Sequence, residues 1–199
     1  MSQTNRFWNT KTMVKLAILG ALSFLLTFIK MPLPFFPGFL KLDPSDVPAI
    51  IATLAFGPAG GVVVQLIKMF TDILTSESAG IGQLANFIAG AAYAIPLGLL
   101  YRRSKTLKGF LLGAAVGSLC MIVTACVFNY FVLIPAYAAA FTGGMDSIIG
   151  MAAAINASVT SLETLIILMF VPFNLLKAVL ISLFGYLLYK PLQPLLRTM

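Results

Sequence analysis

Residues 47–67, VPAIIATLAFGPAGGVVVQLI, decide how many times this chain crosses a membrane. The run is uncharged throughout and long enough for a single transmembrane helix. However, Gly57 and Pro58 interrupt it near the centre, and a Gly-Pro pair is a strong turn signal, although a kinked helix is the known exception. The run therefore encodes either one kinked span or two short helices joined at Gly57.

The composition of the whole chain indicates a membrane protein with several spans. Of the 199 residues, 60% are hydrophobic and only 10% are charged, and the mean hydropathy is +1.00. A soluble domain has about 25% charged residues. Further apolar runs cover 14–29, 81–101, 110–134 and 165–189. No small-residue cleavage site follows the first run, which we therefore interpret as a retained span and not a signal peptide.

The distribution of charge distinguishes one span from two in residues 47–67. With a turn at Gly57, the chain has six spans and both termini lie on one side. That side then carries most of the basic residues: Arg6, Lys11, Lys15, Arg102, Arg103, Lys105, Lys108, Lys190 and Arg197. The other side holds the acidic ones: Asp43, Asp46, Asp72, Glu77, Asp146 and Glu163. A single span would place the basic loop 102–108 opposite the N-terminus, against the positive-inside rule.

The predicted fold is therefore an all-α integral membrane protein whose residues 1–199 form a single domain. It has six transmembrane helices, both termini in the cytoplasm and a ligand cavity that faces outward. The expected helices cover approximately 13–29, 44–56, 58–75, 81–102, 108–134 and 163–189.

The second predicted helix is too short to cross the membrane alone. At 1.5 Å per residue it is about 20 Å long, against a hydrocarbon core of ~30 Å. The preceding loop, FLKLDPSD (39–46), must then lie low, where irregular backbone survives only beside protein or a water-filled cavity. Asp43 fits an N-cap with Pro44 at the first helical position, and Asp46 suits the positive end of the helix dipole. That local interpretation leaves Lys41 unexplained, except as an exposed loop lysine.

Lys177 is the most informative single residue of the sequence. It precedes Lys190 by 13 positions, which places it about 20 Å along the last helix, beyond the reach of its side chain to that end. A lysine in mid-span costs roughly 2.5–3.5 kcal/mol on insertion scales. Asn174 lies three residues earlier and shares its helix face. The pair predicts either a ligand contact or an internal polar network that joins helices.

Other polar positions within the spans have two interpretations each. Asn129 closes the fifth span and can serve as a helix contact or as part of a site, whereas Asn86 favours a helix contact. Lys68 and Asp72 are four residues apart, so the simplest account is a pair that neutralises itself. Residues 136–161 are expected to lie outside the membrane as a lid or two short helices, with a re-entrant segment as the alternative.

Several classes of enzyme find no support in the sequence. The chain contains no histidine, which excludes His-dependent triads and HExxH zinc sites. It also contains no GxxxxGK[ST] phosphate loop, so it should not hydrolyse ATP by itself. No pair of nucleophile and base stands out. We therefore predict a protein that is not an enzyme.

These motifs together resemble the substrate-binding S components of energy-coupling factor (ECF) vitamin transporters, and among them most of all the riboflavin-specific group. The resemblance covers nearly the whole chain. It rests on KLDPSDVPAII (41–51), NFIAGAAYAIPLGLLYRR (86–103), FNYFVLIPAY (128–137) and PFNLLKAVLISLFGYLLYKPLQPLL (172–196), with AILGA (17–21) matching an AxxxA motif of the first helix.

The resemblance implies a high-affinity riboflavin-binding subunit in a prokaryotic plasma membrane, which captures the vitamin from outside. Its partners would be a transmembrane T component and two ATP-hydrolysing subunits, and riboflavin would be its transported ligand, with no cofactor. Ala17 and Ala21 would face the T component. The residues assigned to the ligand would be Leu40, Lys41, Asp43, Asn129, Asn174 and Lys177.

The chemistry of a flavin suits these residues. A flat apolar ring with a polar edge requires apolar walls and a few convergent polar groups. Phe39, Leu40, Tyr130 and Phe173 could provide the walls, and the Asn amides and the Lys177 ammonium could provide the polar contacts. Two alternatives are an S component for another vitamin and an autonomous ion-coupled carrier that uses Lys68, Asp72 and Lys177.

Overall fold

The computed structural model describes residues 9–76, 80–140 and 143–198, and the chain is mostly helical. Arg6 and Glu77, which entered the charge argument, lie outside the described residues. The helices are α1 (Thr10–Leu26), α2 (Val47–Phe56), α3 (Pro58–Asp72), α4 (Ile81–Ser104), α5 (Leu107–Phe128), α6 (Ile134–Ala140), α7 (Gly144–Ala153), α8 (Leu162–Leu165) and α9 (Val171–Thr198). Short 3₁₀ turns cover Pro44–Asp46 and Ile73–Thr75, and β1 (Met31–Pro32) pairs antiparallel with β2 (Lys41–Leu42).

Two π-helical segments turn shorter helices into long continuous ones. Asn129–Leu133 joins α5 to α6, and Ile166–Phe170 joins α8 to α9. Three continuous helical stretches of the described chain are long and apolar enough to cross a membrane: Ile81–Ser104, Leu107–Ala139 and Leu162–Leu192. Large apolar side chains such as Leu119, Phe131 and Ile167 are exposed along them. Such a surface is rare on a soluble monomer and is suited to lipid.

The chain reverses direction between α2 and α3 at Gly57. This residue has φ 87°, a conformation that glycine adopts readily and other residues rarely do, and Pro58 follows as the first residue of α3. The apolar run of residues 47–67 therefore forms two helices in the structure. α2 is buried along most of its length, from Val47 to Leu54.

Side-chain contacts identify one end of the bundle, which we call the basic end. The Arg102 side chain covers Gly57 at the α2–α3 turn, and Lys15 of α1 lies 5.9 Å from the ring centroid of Phe56. Tyr101 and Tyr189 are in edge contact, with 6.1 Å between ring centroids. The start of α1, the α2–α3 and α4–α5 turns and the last part of α9 therefore lie together, along with the basic residues 102–108.

The helices are packed most closely near the basic end. A Cβ atom added to Gly98 would lie 2.6 Å from the nitrogen of Pro58, and one added to Gly117 would lie 2.7 Å from the carbonyl oxygen of Tyr93. Backbones at this distance leave no room for a side chain. The core here is formed by Leu16, Ile50, Tyr93, Leu97, Phe110 and Ile181 among others.

The opposite end of the bundle, which we call the cavity end, differs from the prediction in its detail. The helix predicted over 108–134 continues to Ala140, because the π-helical segment carries it past Asn129. Among the described residues of 136–161, where a lid or a pair of short helices was predicted, there is one separate short helix, α7, since the first part of that segment belongs to α6. Ile148 and Ala152 of α7 pack into a second apolar core with Leu133 and Phe170.

Candidate functional site

A cavity of about 600 Å³ lies at the cavity end. Its walls are formed by residues of the β1–β2 region, of both π-helical segments and of helices α3, α4, α5, α6, α7 and α9. Exposed Lys41 is part of the wall, so the cavity reaches the surface. All six residues predicted to bind ligand line it, namely Leu40, Lys41, Asp43, Asn129, Asn174 and Lys177.

The loop between β1 and β2 closes one side of the cavity. Phe39 stacks on Phe170 with 6.3 Å between ring centroids, and Phe36 meets Phe173 edge-on at 5.4 Å. Leu40 is buried in the apolar core of this end. Aromatic contacts of this geometry hold the loop against the end of the π-helical segment Ile166–Phe170 and the start of α9, so that the apolar residues of the loop form a wall.

The first turn before α2 is held by side-chain caps. Asp43 has extended backbone and accepts a hydrogen bond of 2.9 Å from the Ser45 nitrogen, with Pro44 following it, as the sequence predicted. The Ser45 hydroxyl also donates to Asp43, and Ser23 of α1 donates to the Ser45 carbonyl oxygen. Both contacts fix the loop to the bundle at the point where it becomes helical.

Asp46 lies in the first turn, as predicted, and it also has a role that the sequence did not predict. Its carboxylate is 2% exposed and makes no cap hydrogen bond to the helix that it precedes. One oxygen forms an ion pair with Lys68 and accepts from Gln65 Nε2 at 2.8 Å, and the other lies 2.7 Å from Lys177 Nζ. Asp46 is the centre of a buried network that joins the start of α2 to α3 and α9.

The predicted pairing of Lys68 with Asp72 is also wrong. The Lys68 ammonium forms its ion pair with Asp46 and donates to Ser45 Oγ at 3.1 Å. Two buried lysines thus share one carboxylate, so Asp46, Lys68 and Lys177 together carry one net positive charge. Burial of such a group is costly unless further partners satisfy it. The Gln65 Oε1 atom is the one buried side-chain atom of the described residues that lacks a hydrogen-bond partner.

Two asparagines of the cavity wall hold their amides in the same way. Asn129 Nδ2 donates to the Ala125 carbonyl oxygen at 2.6 Å, and Asn174 Nδ2 donates to the Phe170 carbonyl oxygen at 2.8 Å. Because a carbonyl oxygen only accepts, each amide must turn its nitrogen to the backbone, which directs Oδ1 away from it. Asn129 is the first residue of one π-helical segment, and Asn174 donates to Phe170, the last residue of the other; such segments are frequent at functional sites.

The remaining polar predictions have mixed outcomes. Asn86 Oδ1 lies 3.4 Å from Lys177 Nζ and is also part of the cavity wall, so it serves both helix contact and site. Tyr130 does not line the cavity: its hydroxyl donates to Glu163 Oε1 at 3.0 Å. Tyr137, which belongs to α6, lines the cavity instead.

The small residues of AILGA occupy two faces of α1. Gly20 faces inward, since an added Cβ would lie 2.6 Å from Ile67 of α3. Ala17 and Ala21 are exposed on the outer face, beside exposed Ile18 and Leu22. The inner face thus joins the bundle, whereas the outer face is available to lipid or another protein.

The chemistry of the site is that of ligand binding. Apolar and aromatic walls enclose a few directed donors and acceptors, which is the usual composition of a small-molecule site. Among the described residues no group of three or more His, Cys, Asp or Glu could hold a metal ion. The fold and this cavity define a membrane protein that binds a small molecule between its helices.

Comparison with known proteins identifies the family. Residues 11–189 match the family described as "ECF transporter, substrate-specific component", and the chain belongs to that family. It is therefore the substrate-binding subunit of a membrane transporter and not an enzyme. The solved structure of the S component of a bacterial ECF transporter superposes with a TM-score of 0.71 at 34% identity, covering 92% of this chain and 96% of that one.

Two relatives are similar over nearly their whole length. The riboflavin transporter RibU of Staphylococcus aureus (strain TCH60) is 34% identical over 187 residues, which are 94% of this chain and 93% of the relative. The riboflavin transporter FmnP of Bacillus subtilis (strain 168) is 33% identical over 187 residues, which are 92% of this chain and 93% of the relative. The family resemblance inferred from the sequence motifs is thus confirmed.

Three functional candidates of the site were missed in the sequence, namely Asp46, Lys68 and Gln65. One signal could have found the first two. Lysines within apolar helices need an acidic partner, and Asp46 is an acidic residue at the start of the most apolar helix. Gln65 carries no comparable signal, because an uncharged polar side chain in a helix has many possible partners.

Proposed function

We propose that this protein is a riboflavin-specific S component, which binds the vitamin from outside the cell in the cavity described above. The observation that carries the proposal is the set of directed polar groups in an otherwise apolar cavity. The Asn129 and Asn174 amides each offer an acceptor and a spare donor to the flavin ring edge, and Lys177 offers a charged donor to ligand oxygens. The names of the relatives support riboflavin as the ligand.

The proposed topology has six spans with both termini in the cytoplasm and the cavity facing outward. It is supported by the position of the basic residues 102–108 at the end opposite the cavity, since basic residues favour the cytoplasmic side. Leu40, Lys41 and Asp43 would then belong to an outer loop that contacts the ligand together with Asn129, Asn174 and Lys177.

Delivery across the membrane would require the shared energising module of a T component and two ATP-hydrolysing subunits. The exposed Ala17 and Ala21 support a docking face on α1, because small residues permit close approach of another helix. Ala21→Trp should then prevent co-purification with the T component and leave riboflavin binding unchanged. Unimpaired co-purification would contradict this assignment.

A ligand that carries positive charge is disfavoured by the same cavity. The cavity wall contains four lysines, Lys30, Lys41, Lys68 and Lys177, and two aspartates, Asp43 and Asp72, and this excess of positive charge would repel a cationic vitamin. This observation weakens the alternative of an S component for such a vitamin. An autonomous ion-coupled carrier is weakened too, since two of the three residues assigned to it, Lys68 and Lys177, form buried ion pairs with Asp46.

The proposal is tested by binding. Purified protein from rich medium should be yellow, and stripped protein should quench the fluorescence of added riboflavin at a ratio of one to one. Colourless protein that does not quench riboflavin fluorescence would overturn the proposal. Competition with other vitamins then separates riboflavin from the remaining candidates.

A further inference from the structure

Lys68 occupies a position that its local sequence does not explain. It is 4% exposed, yet it lines the cavity, on the wall that also contains Ser45 and Lys177. An ammonium group has three N–H donors. Two of those of Lys68 are directed to Asp46 and Ser45 Oγ, which leaves one for the cavity.

Lys177 has the same arrangement from the other side. It lies 2.7 Å from Asp46 Oδ2 and, more loosely, 3.4 Å from Asn86 Oδ1. Its third donor is likewise left for the cavity that it lines. A single carboxylate therefore holds two ammonium groups in neighbouring positions, each by a different oxygen.

Asp46 itself is not part of the cavity wall among the described residues. Both its oxygens face protein donors, since Lys68 and Gln65 take one and Lys177 takes the other. It has no geometry for a direct ligand contact. Its position behind both lysines is that of a residue that orients them.

We infer that Lys68 is a second ligand-binding ammonium beside Lys177, and that Asp46 is the positioning residue that holds both donors towards the ligand. The two ammonium groups form a donor pair for the oxygen atoms of the ligand, and the net positive charge favours oxygens with partial or full negative charge. This inference rests on the proposed function, and it adds Lys68 and Asp46 to the residues that determine affinity.

The first test is the Lys68→Met variant. Asp46 keeps Lys177 as its partner in this variant, so the buried charges balance and the fold should be retained, as checked by thermal unfolding and size-exclusion chromatography. Riboflavin affinity, measured by fluorescence quenching, should fall about tenfold or more, as expected for one charge-assisted hydrogen bond. Lys108→Met, an exposed lysine at the basic end, is the matched control and should bind like the wild type.

The flavin without its ribityl chain, lumiflavin, identifies the contacted oxygens. If Lys68→Met weakens riboflavin and lumiflavin equally, the lysine contacts the ring carbonyl oxygens. If it weakens riboflavin alone, the lysine contacts the ribityl hydroxyls. Both results support the inference, whereas a folded Lys68→Met protein with unchanged affinity for riboflavin overturns it.

The role of Asp46 is tested in two backgrounds. Asp46→Asn should weaken riboflavin binding about tenfold or more in the wild type, but less than about twofold when Lys68→Met and Lys177→Met are already present. A general structural role would instead cost the same in both backgrounds and would overturn the positioning role. Wild-type protein that fails to bind riboflavin would overturn this inference and the proposed function together, whereas failure of the variants alone leaves the proposed function intact.

Discussion

The basic end and the cavity end of the molecule differ in how closely their helices approach. At the basic end, backbones touch where Gly98 meets Pro58, and the close approach continues to the middle of α4 and α5, where Gly117 meets Tyr93. At the cavity end, the helices separate around a space of about 600 Å³. Glycines allow the first arrangement, since any side chain would force the helices apart.

The two ends also differ in how they treat polar groups. The core of the basic end is apolar and contains few polar links, such as the hydrogen bond of 2.5 Å between Tyr93 and Ser182. The cavity end buries Asp46, Lys68 and Lys177 together. Burial of these charges lowers the stability of the fold, and close packing at the other end can offset that loss. The comparison indicates a rigid half that holds a binding half in place.

Removal of the shared carboxylate should have the largest effect on stability. In Asp46→Ala, two ammonium groups remain buried without their common partner, and loss of one member of a buried pair costs about 3–5 kcal/mol. The free energy of unfolding, measured in detergent, should fall by that amount. Asp146→Ala removes an exposed carboxylate of α7 and is the matched control, for which little change is expected.

A second change at the same place sharpens this prediction. Adding Lys68→Met to Asp46→Ala removes one of the two uncompensated charges, so part of the lost stability should return. If Lys68→Met instead lowers the free energy of unfolding of Asp46→Ala by as much as it lowers that of the wild type, the two residues are not coupled as their contacts indicate.

Close packing at the basic end should show the next largest effect. In Gly98→Val the new side chain would meet the Pro58 backbone, which cannot move as a flexible side chain does. Overpacking of this kind costs about 3 kcal/mol at the upper end of its usual range. A lower midpoint of thermal unfolding is expected, with unchanged riboflavin affinity in the protein that remains folded. The control is Gly150→Ala, where an added Cβ meets nothing within 4 Å.

The opposite result would remove the distinction between the two ends. If Gly98→Val loses riboflavin affinity while its unfolding midpoint is unchanged, the basic end contributes to binding directly and is not simply a scaffold.

Two lysines on the same helix separate binding from packing. Lys177→Ala should weaken riboflavin binding about tenfold or more because a charged donor is lost, while Lys68 still neutralises Asp46. Lys190→Ala changes a lysine of α9 at the basic end, which lies 5.1 Å from the Tyr186 ring centroid, and should leave affinity unchanged. Equal loss of affinity in both variants would indicate an indirect effect through the helix.

Much of this arrangement follows from the sequence, for reasons that are local. Gly57 and Pro58 predict the reversal between two helices because their backbone preferences act within a few residues. Asn174 and Lys177 share a face because helix geometry fixes positions three residues apart. Asp43 caps its helix through a contact with Ser45. Each of these depends on neighbours in the chain.

What the sequence did not predict depends on contacts between distant residues. Lys68 was assigned to Asp72, one turn away, whereas its partner is Asp46 on the far side of the α2–α3 turn. The π-helical segment at Asn129–Leu133 has no signature in composition, since one additional residue in a turn leaves the apolar pattern almost unchanged. Tyr130 was expected in the wall as an aromatic residue next to Asn129, whereas in the structure it donates to Glu163 and Tyr137 lines the cavity.

The smallest expected effect on riboflavin affinity is that of Tyr130→Phe in this π-helical segment, and Asn129→Ala at the adjacent position serves as its control. Tyr130→Phe removes only the hydrogen bond to Glu163, and riboflavin affinity should change by less than about twofold because an exposed contact of this kind contributes little. Asn129→Ala, one position earlier, removes an amide of the cavity wall and should weaken binding by about tenfold. Fluorescence quenching measures both. If Tyr130→Phe weakens binding as much as Asn129→Ala does, the segment must turn its tyrosine towards the ligand when riboflavin binds, and the cavity wall would then extend beyond the residues that form it here.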